Sequence, residues 1–569
     1  MRLLAVGVGI IVCIILVRNL NPFDPRMFEF HDVTQRARIV EFLLSVLTGY
    51  WPPRVATLMY YYLSYPAFTF YAPAAYWISL VFSLLYLEVF PRITPLIDVF
   101  TLKSSFAAAI FTSWIGMYAL VSHLTGNRIA AIISATVYSS SPWVAVEVFV
   151  RGNLAEMWFL ALLPLTLALL HISSTTKHRA MCILTAITTS LLFTSHNALS
   201  LVTIPLVCIY CGLFLRHKNV FILLALALGL TAYFWIPFVT QLPLTNAVAV
   251  ATSTKYEDHY LCLKQLWTNP AGWGFGGSGP GCETDGMSFM VGKVLIILFA
   301  GSSVYLLLNL VKRKVVQRPY IAYFLITIGA LFLTLPISKP FWKIISPLQG
   351  FQFPWRFLVF VLFGMSTCVG LGIGKLSQES SKRKKIHAVI TSTIVLAVLG
   401  GLFLNARYFD NNSISYEHGV NVNRLTKLIV DEAAFAMPEY FSRNIDRNNL
   451  SWIKEKGNPK TKDDTSVTLS YDTDILRNYV LRVKTTERQV TLPIHYFPWW
   501  RIVDEKTSQL IIPETFDMYG RPVIPATASN TIRIRYEQTP IEKTSNAITL
   551  FSFIALCAYV FRFFHHEST

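Results

Sequence analysis

Charged residues make up 14% of this chain, against about 25% in a typical soluble domain, and the shortage excludes an ordinary soluble enzyme. Cysteine is scarce too. Eight in 569 residues, six of them inside apolar runs, exclude a disulfide-rich secreted scaffold. No clustered Cys/His zinc motif and no Gly-x-Ser-x-Gly elbow occurs, and there is neither a repeat of fixed period nor a low-complexity tract. What charge there is sits unevenly. Of the net +17, residues 405–545 contribute almost nothing, with 19 Lys/Arg against 18 Asp/Glu, while the rest of the chain carries 30 against 14. Basic residues spread between apolar runs are a topology signal rather than a nucleic-acid patch, so no nucleic-acid partner is expected.

Apolar residues are abundant, at 53%, and the mean hydropathy is +0.48. A bilayer core about 30 Å thick needs roughly 17–25 apolar residues per helix. Twelve runs reach or approach that length: 3–18, 104–123, 128–147, 154–172, 180–195, 199–215, 219–238, 291–310, 320–336, 355–373, 387–404 and 546–564. A thirteenth, 74–90, is bracketed by Pro66, Pro73, Pro91 and Pro95, which suits an interfacial or re-entrant element. The first run follows Met1-Arg2 and has no small-residue cleavage site after it, so it reads as an uncleaved anchor.

Orientation follows the short basic loops. Lys177 and Arg179, Arg216 and Lys218, Lys312 to Arg318, and Lys382 to Lys385 mark alternate connections and are expected in the cytoplasm. The segments 19–103, 239–290 and 405–545 then fall outside, with both termini cytoplasmic and the chain in the cell's inner membrane. The expected fold is a mainly α-helical polytopic membrane protein of about 12–14 spans. It comprises a membrane module over 1–404, an extracytoplasmic domain over 405–545, and a last span with a short tail over 546–569. Runs of period two at 466–471, 479–484, 490–495 and 531–536 predict a β-rich, sandwich-like domain, whereas 421–445 looks more helical. Cys262 and Cys282 share an outer loop, where a disulfide between them and a pair of unpaired thiols both fit. The Gly-rich stretch 269–281 between them follows no strand, and reads as a lid rather than a phosphate loop.

Only fourteen carboxylates lie outside residues 405–545, so candidates for chemistry are few. Asp24, Glu29, Asp32 and Glu41 fall in the first outer loop, and Glu147 and Glu156 flank Arg151 at an outer turn. Carboxylates from two loops on one face can supply a general base and ligands for a hard divalent cation, Mg or Mn, with Asp32 and Glu156 the candidate pair. The plainer readings are an Arg151 salt bridge for the glutamates and an N-cap for Asp32. After His31-Asp32 the pattern is an amphipathic helix, apolar at Ile39, Val40, Phe42 and Leu43 and polar at Gln35, Arg36, Arg38 and Glu41, fit to lie flat on the bilayer. The aromatics from Tyr60 to Tyr76, Tyr71 among them, form either an interfacial belt or a platform for a sugar ring. Gln352, Trp355 and Arg356 enter a span from outside, where an Arg can grip an anionic headgroup or simply anchor the interface. His196 sits at another outer turn, where a structural histidine is the ordinary outcome.

Taken together these residues resemble the bacterial multi-span membrane proteins labelled 6-pyruvoyl-tetrahydropterin-synthase-related, of the C-type glycosyltransferase superfamily. The resemblance rests on His31-Asp32, Gly49-Tyr-Trp-Pro-Pro-Arg54, Phe70-Tyr-Ala-Pro73, Arg151-Gly-Asn-Leu-Ala-Glu156, Ser195-His-Asn197, Gln352-Phe-Pro-Trp-Arg356, Pro438-Glu-Tyr440 and Tyr496-Phe-Pro-Trp-Trp500. Two departures stand out: Tyr60-Tyr-Tyr replaces a Gly-rich turn, and Trp499 replaces a glycine. The resemblance implies inverting transfer from a polyprenyl-phosphate-linked sugar to a glycan, lipid or protein acceptor. Asp32 would be the general base, Glu156 the second acidic site, and Arg356 the group near the donor phosphate. His31, Arg54, Tyr71, Arg151, His196, Gln352 and Trp355 would line the substrate site. A flippase of lipid-linked glycans and a non-catalytic glycan-binding envelope protein are the competing readings. The few mid-span charges and the lack of paired repeats weigh against the flippase.

Overall fold

The computed structural model describes residues 2–91, 96–176, 178–253, 255–268, 286–380, 384–409, 422–456, 468–471, 480–484, 489–525 and 531–566. Each expected apolar run coincides with a helix. Seven helices are long and apolar enough to cross a bilayer core, and three bent pairs raise the number to ten if each pair is one span. Three shorter apolar helices, Leu3–Val17, Ala74–Val89 and Arg179–Phe193, accompany them. The chain is a mainly α-helical multi-pass membrane protein with a β-rich segment ahead of its last helix.

The bends have sequence causes. Arg128–Ser139 gives way to Pro142–Val150 at 43°, and Arg318–Thr334 to Pro336–Ile344 at 88°. In both, a proline opens the second piece, where its missing N–H leaves no donor for the preceding turn. At the first break Ser139 and Ser140 hydroxyls donate back to the carbonyls of Ala135 and Thr136, four residues earlier.

Helix α1 is Arg2–Val17, α2 is Thr34–Leu47, α3 is Ala67–Phe70, α4 is Ala74–Val89 and α5 is Ile97–Thr125. The 74–90 run folds as α4 and lies antiparallel along the first half of α5. The contacts Ser79–Ser105 at 2.9 Å and Ser83–Thr101 at 3.0 Å set that register. Because α4 covers only the start of the much longer α5, the two make a short hairpin.

Helix α2 corrects the expectation of a helix lying flat with a wet polar face. Its polar residues Thr34, Gln35, Arg36, Arg38 and Glu41 are all buried within the protein. Most of their polar atoms find partners there, as buried polar groups usually do, with Arg38 Nε the exception among the described residues. Arg36 Nε meets Asp98 of α5 at 2.5 Å, and the Glu41 carboxylate accepts the backbone N–H groups of Thr57 and Leu58 at 2.9 and 3.0 Å.

The turn at Tyr60–Ser64 explains the departure from a Gly-rich sequence. Tyr60, Tyr61 and Tyr62 all stand in the left-handed region, with φ of 57°, 57° and 63°. The backbone thus takes the conformation that glycine would adopt without strain, at a cost of about 1–2 kcal/mol per non-glycine residue. Burial offsets it. Tyr60 packs against Phe441 and His495 with ring centroids 4.8 and 5.2 Å apart, and Tyr65 against Phe441 at 5.1 Å. These tyrosines are neither an interfacial belt nor a sugar platform. They dock the first loop onto the C-terminal segment, where the His495 N–H also donates to the Leu63 carbonyl at 2.7 Å.

The C-terminal segment begins helically at Val422–Lys427 and ends in eight antiparallel strands. These are β1 (Thr468–Tyr471), β2 (Val480–Lys484), β3 (Gln489–Thr491), β4 (Trp500–Asp504), β5 (Leu510–Ile511), β6 (Thr515–Phe516), β7 (Pro522–Pro525) and β8 (Thr531–Tyr536). One sheet runs β1-β2-β8-β4-β5 and the other β3-β7-β6. Alternation along β8 and β7 buries Ile532, Ile534 and Ile524 in one shared core with Trp499, which stacks on Phe497 at 4.5 Å. Cys262 is disulfide-bonded and the other six described cysteines are free. Cys282 and the Gly-rich stretch 269–281 lie outside the described residues.

Candidate active site

The first loop and the Arg151 turn are joined by backbone. His31 N–H donates to the Val150 carbonyl at 3.0 Å and Asp32 N–H to the Arg151 carbonyl at 2.9 Å, which sets Asp32 beside Arg151. Gly152 makes this approach feasible. Its φ is +63°, and a Cβ there would fall 1.9 Å from the Phe30 ring.

Asp32 is not the N-cap of α2. That position is Val33, without a side-chain cap. The Asp32 carboxylate instead accepts from Thr34 Oγ1 at 2.6 Å, Gln35 Nε2 at 2.7 Å and Arg38 Nη1 at 3.1 Å. Arg38 is fixed in turn by Thr34 at 2.7 Å and by the face of Tyr71, 4.4 Å from its ring centre. Asp32 remains 27% exposed and faces a cavity.

Glu156 is caged. Asn153 caps the helix Leu154–Thr175, its Oδ1 accepting the Glu156 N–H at 3.1 Å, while its Nδ2 donates to Glu156 Oε1 at 3.0 Å. Arg151 clasps both carboxylate oxygens at 2.6 and 2.8 Å and reaches Glu147 at 2.5 Å. Arg356 Nε stands 3.3 Å from Glu156 and His196 Nε2 stands 3.5 Å from it. His196 also caps its own helix by accepting the Leu199 N–H at 3.3 Å, and burial pushes its imidazole below the ordinary value. Trp355 covers the Arg151 guanidinium, 4.4 Å from its ring centre.

A cavity of about 770 Å³ collects most of these groups. His31, Asp32, Tyr71, Arg151, His196, Gln352, Trp355 and Arg356 all line it. Glu156 does not line it, and holds the cationic wall from behind. Arg54 stands elsewhere. It is buried against Glu542 of the last helix at 3.5 Å, the Tyr233 carbonyl at 2.9 Å and Asn546 at 3.0 Å. Five polar lining residues carried no assignment from the sequence: Arg38, Asn153, Asn197, Glu439 and Tyr440. Asn197 and Pro438-Glu-Tyr440 lay inside motifs already singled out, so their positions were visible while their roles were not. Asn197 Nδ2 donates to the Phe70 carbonyl at 2.6 Å and to Tyr440 Oη at 3.3 Å. Its Oδ1 is buried without a hydrogen bond among the described residues.

The lining is also apolar in part: Leu201, Phe238, Leu242, Val248, Val250 and Phe351 belong to it. Leu201 and Val248 are 52% and 61% exposed, so the cavity reaches the protein surface beside them. Among the described residues no group of three or more His, Cys, Asp or Glu is placed to hold a metal ion. Asp32 and Glu156 do not fit a shared divalent cation, because Arg151 occupies both Glu156 oxygens and would repel it.

Fold and site together define a multi-pass membrane protein with an amphiphilic cavity beneath a β-rich segment. No family model and no curated protein matches the chain, so the pterin-synthase-related label gains no support. Solved structures of an oligosaccharyltransferase from Archaeoglobus fulgidus are similar to it. The form tethered to an acceptor peptide aligns at 14% identity and TM-score 0.46, covering 71% of this chain and 55% of that one. The enzyme called AglB, with an inhibitory peptide and a dolichol-phosphate, aligns at 12% and 0.45 over 71% and 55%. A complex with Zn and sulfate aligns at 13% and 0.44 over 73% and 54%. The chain thus spans a little over half the length of these structures.

Proposed function

We propose that this chain transfers a sugar from a polyprenyl-phosphate donor to an envelope glycan, lipid or protein acceptor. The observation that carries this reading is the amphiphilic cavity: charged and apolar residues line it together, and the apolar Leu201 and Val248 are also exposed at the surface. That shape suits an amphiphile whose head is anionic and whose tail stays in lipid. Its volume is ample for a sugar phosphate.

Charge decides the head. Arg38 is held by Asp32, and Arg151 by Glu147 and Glu156. Arg356, 15% exposed and on the cavity wall, only shares Glu156 with Arg151, at 3.3 Å, and so is the cation placed to meet a single phosphate. It would favour departure of the lipid phosphate as the anomeric carbon–oxygen bond breaks. Asp32 accepts three hydrogen bonds where a carboxylate has about four sites, so one stays open to an acceptor hydroxyl. Attack from the side opposite the phosphate inverts the anomeric centre. The steps proposed for these residues involve no divalent cation.

Cavity-lining residues stand at the starts of Leu154–Thr175 and Asn197–Tyr210 and at the end of Ala232–Gln241. The basic connections at Lys177–Arg179 and Arg216–Lys218 therefore sit at the remote ends. By the positive-inside rule the cavity and residues 405–545 face outward, and both termini lie in the cytoplasm of a cell-membrane protein. Native mass spectrometry of the chain in lipid nanodiscs tests the reading. A polyprenyl-phosphate species should remain bound to the wild type and be lost from Arg356→Ala. Failure to retain any such lipid when it is supplied would count against the proposal.

A further inference from the structure

Two carboxylates line the cavity, Asp32 and Glu439, and they differ in what already holds them. Asp32 accepts from Thr34, Gln35 and Arg38. Glu439 is half-buried and, among the described residues, pairs with no cation; its carboxylate accepts only from its own backbone N–H. It is nevertheless firmly placed. It is the middle residue of the short turn Pro438–Tyr440. Before it, the Met437 carbonyl accepts from Tyr65 Oη. After it, Tyr440 packs on Phe70 at 5.6 Å and meets Asn197 at 3.3 Å. The C-terminal segment therefore delivers a carboxylate with open acceptor positions into a cavity that the first loop, the helix ends and the segments 239–290 and 337–354 also line.

We infer that Glu439, rather than Glu156 or Asp32 alone, is the group that takes the proton of the acceptor. The inference rests on the glycosyl-transfer reading. Asp32 orients the acceptor O–H by its open acceptor site. As the acceptor oxygen bonds to the anomeric carbon, its proton passes to the Glu439 carboxylate. The bond from that carbon to the phosphate oxygen breaks, and the electron pair leaves with the lipid phosphate. Glu439 returns the proton to water once the products part.

The surroundings suit a base. Burial raises the Glu439 carboxyl above the ordinary glutamate range, and Arg38 and Arg356 pull it back without touching it. The charged and titratable groups facing it are Asp32 and Arg38 from α2, Arg356, Tyr65 and Tyr440. A base with a raised value accepts a proton more readily than an ordinary carboxylate.

The test uses the full chain in lipid and compares wild type, Glu439→Gln and Glu439→Ala. Turnover of Glu439→Gln should fall by about 100-fold or more, with donor KM unchanged within about threefold, as expected for loss of a proton acceptor. The acid-side fall in kcat/KM seen with the wild type should be missing from the residual activity. Added formate should restore part of the turnover of Glu439→Ala, which a residue with a merely structural role would not allow. The inference is overturned if Glu439→Gln turns over at the wild-type rate, or if formate fails to restore a Glu439→Ala protein that melts like the wild type. A wild type that transfers no sugar would instead refute the underlying reading, and this inference with it.

Discussion

Arg151 lays its two terminal nitrogens against the two oxygens of Glu156, at 2.6 and 2.8 Å, with the carboxylate wholly buried. The same Glu156 oxygen that Arg151 Nη2 reaches is 3.3 Å from Arg356 Nε, so one carboxylate sets the position of both cations. Removing one member of a buried pair leaves the other uncompensated, at a cost of about 3–5 kcal/mol. Glu156→Gln is therefore expected to melt well below the wild type. Its donor KM should also rise, by about tenfold, through a misplaced Arg356 rather than a lost metal ligand. Melting curves and donor saturation curves on the same preparation check both.

Arg54 separates packing from substrate binding. Its partner Glu542 is fully buried, and the pair ties the first loop to the last helix. Arg54→Ala should destabilise by about 3–5 kcal/mol while leaving donor KM unchanged in the protein that remains folded. A raised KM with a wild-type melting temperature would return Arg54 to the substrate site.

The tyrosine turn offers a contrast within three residues. Tyr60 is fully buried, whereas Tyr62 is 39% exposed, and both are left-handed. Tyr60→Ala should lose about 3–5 kcal/mol and speed hydrogen exchange across residues 436–442, where the turn docks. Tyr62→Asn, whose side chain tolerates that conformation, should be neutral or slightly stabilising.

Glu41 gives stability a pH dependence. Burial raises its carboxyl from 4.5 to about 8, against the pull of two backbone N–H groups. The folded protein thus favours the protonated form. The stability this contributes is complete below about pH 4.5 and is lost as pH climbs towards 8, with a slope of up to about 1.4 kcal/mol per unit. Melting temperature should fall over that interval in the wild type and less so in Glu41→Gln, which has no proton to lose. Equal slopes would place the dependence elsewhere.

Much of this arrangement is legible in the residues. Apolar run length placed the long apolar helices, because a bilayer forces backbone hydrogen bonds to close within a segment. Period-two alternation located β8, where burial truly alternates. Asp32, Arg151, His196 and Arg356 converge as their motifs suggest. The α2 surface misled, since polar residues on an amphipathic helix look the same whether water or a buried partner such as Asp98 satisfies them. Arg54 misled for a related reason: its partner Glu542 is 488 positions away. Glu439 could not be singled out, being one of eighteen acidic residues in a segment of balanced charge. Only the docking of Phe441 and Tyr440 against the first loop brings it to the cavity.

The most direct measurement of the central claim is release of lipid phosphate. Purified protein in lipid would be incubated with a panel of radiolabelled polyprenyl-phosphate sugars and an acceptor extract, wild type beside Asp32→Asn. The expected result is lipid phosphate released by the wild type, in step with label appearing on the acceptor, and little or none from Asp32→Asn. Equal release by both proteins, or donor binding across the panel with no release at all, would contradict the account.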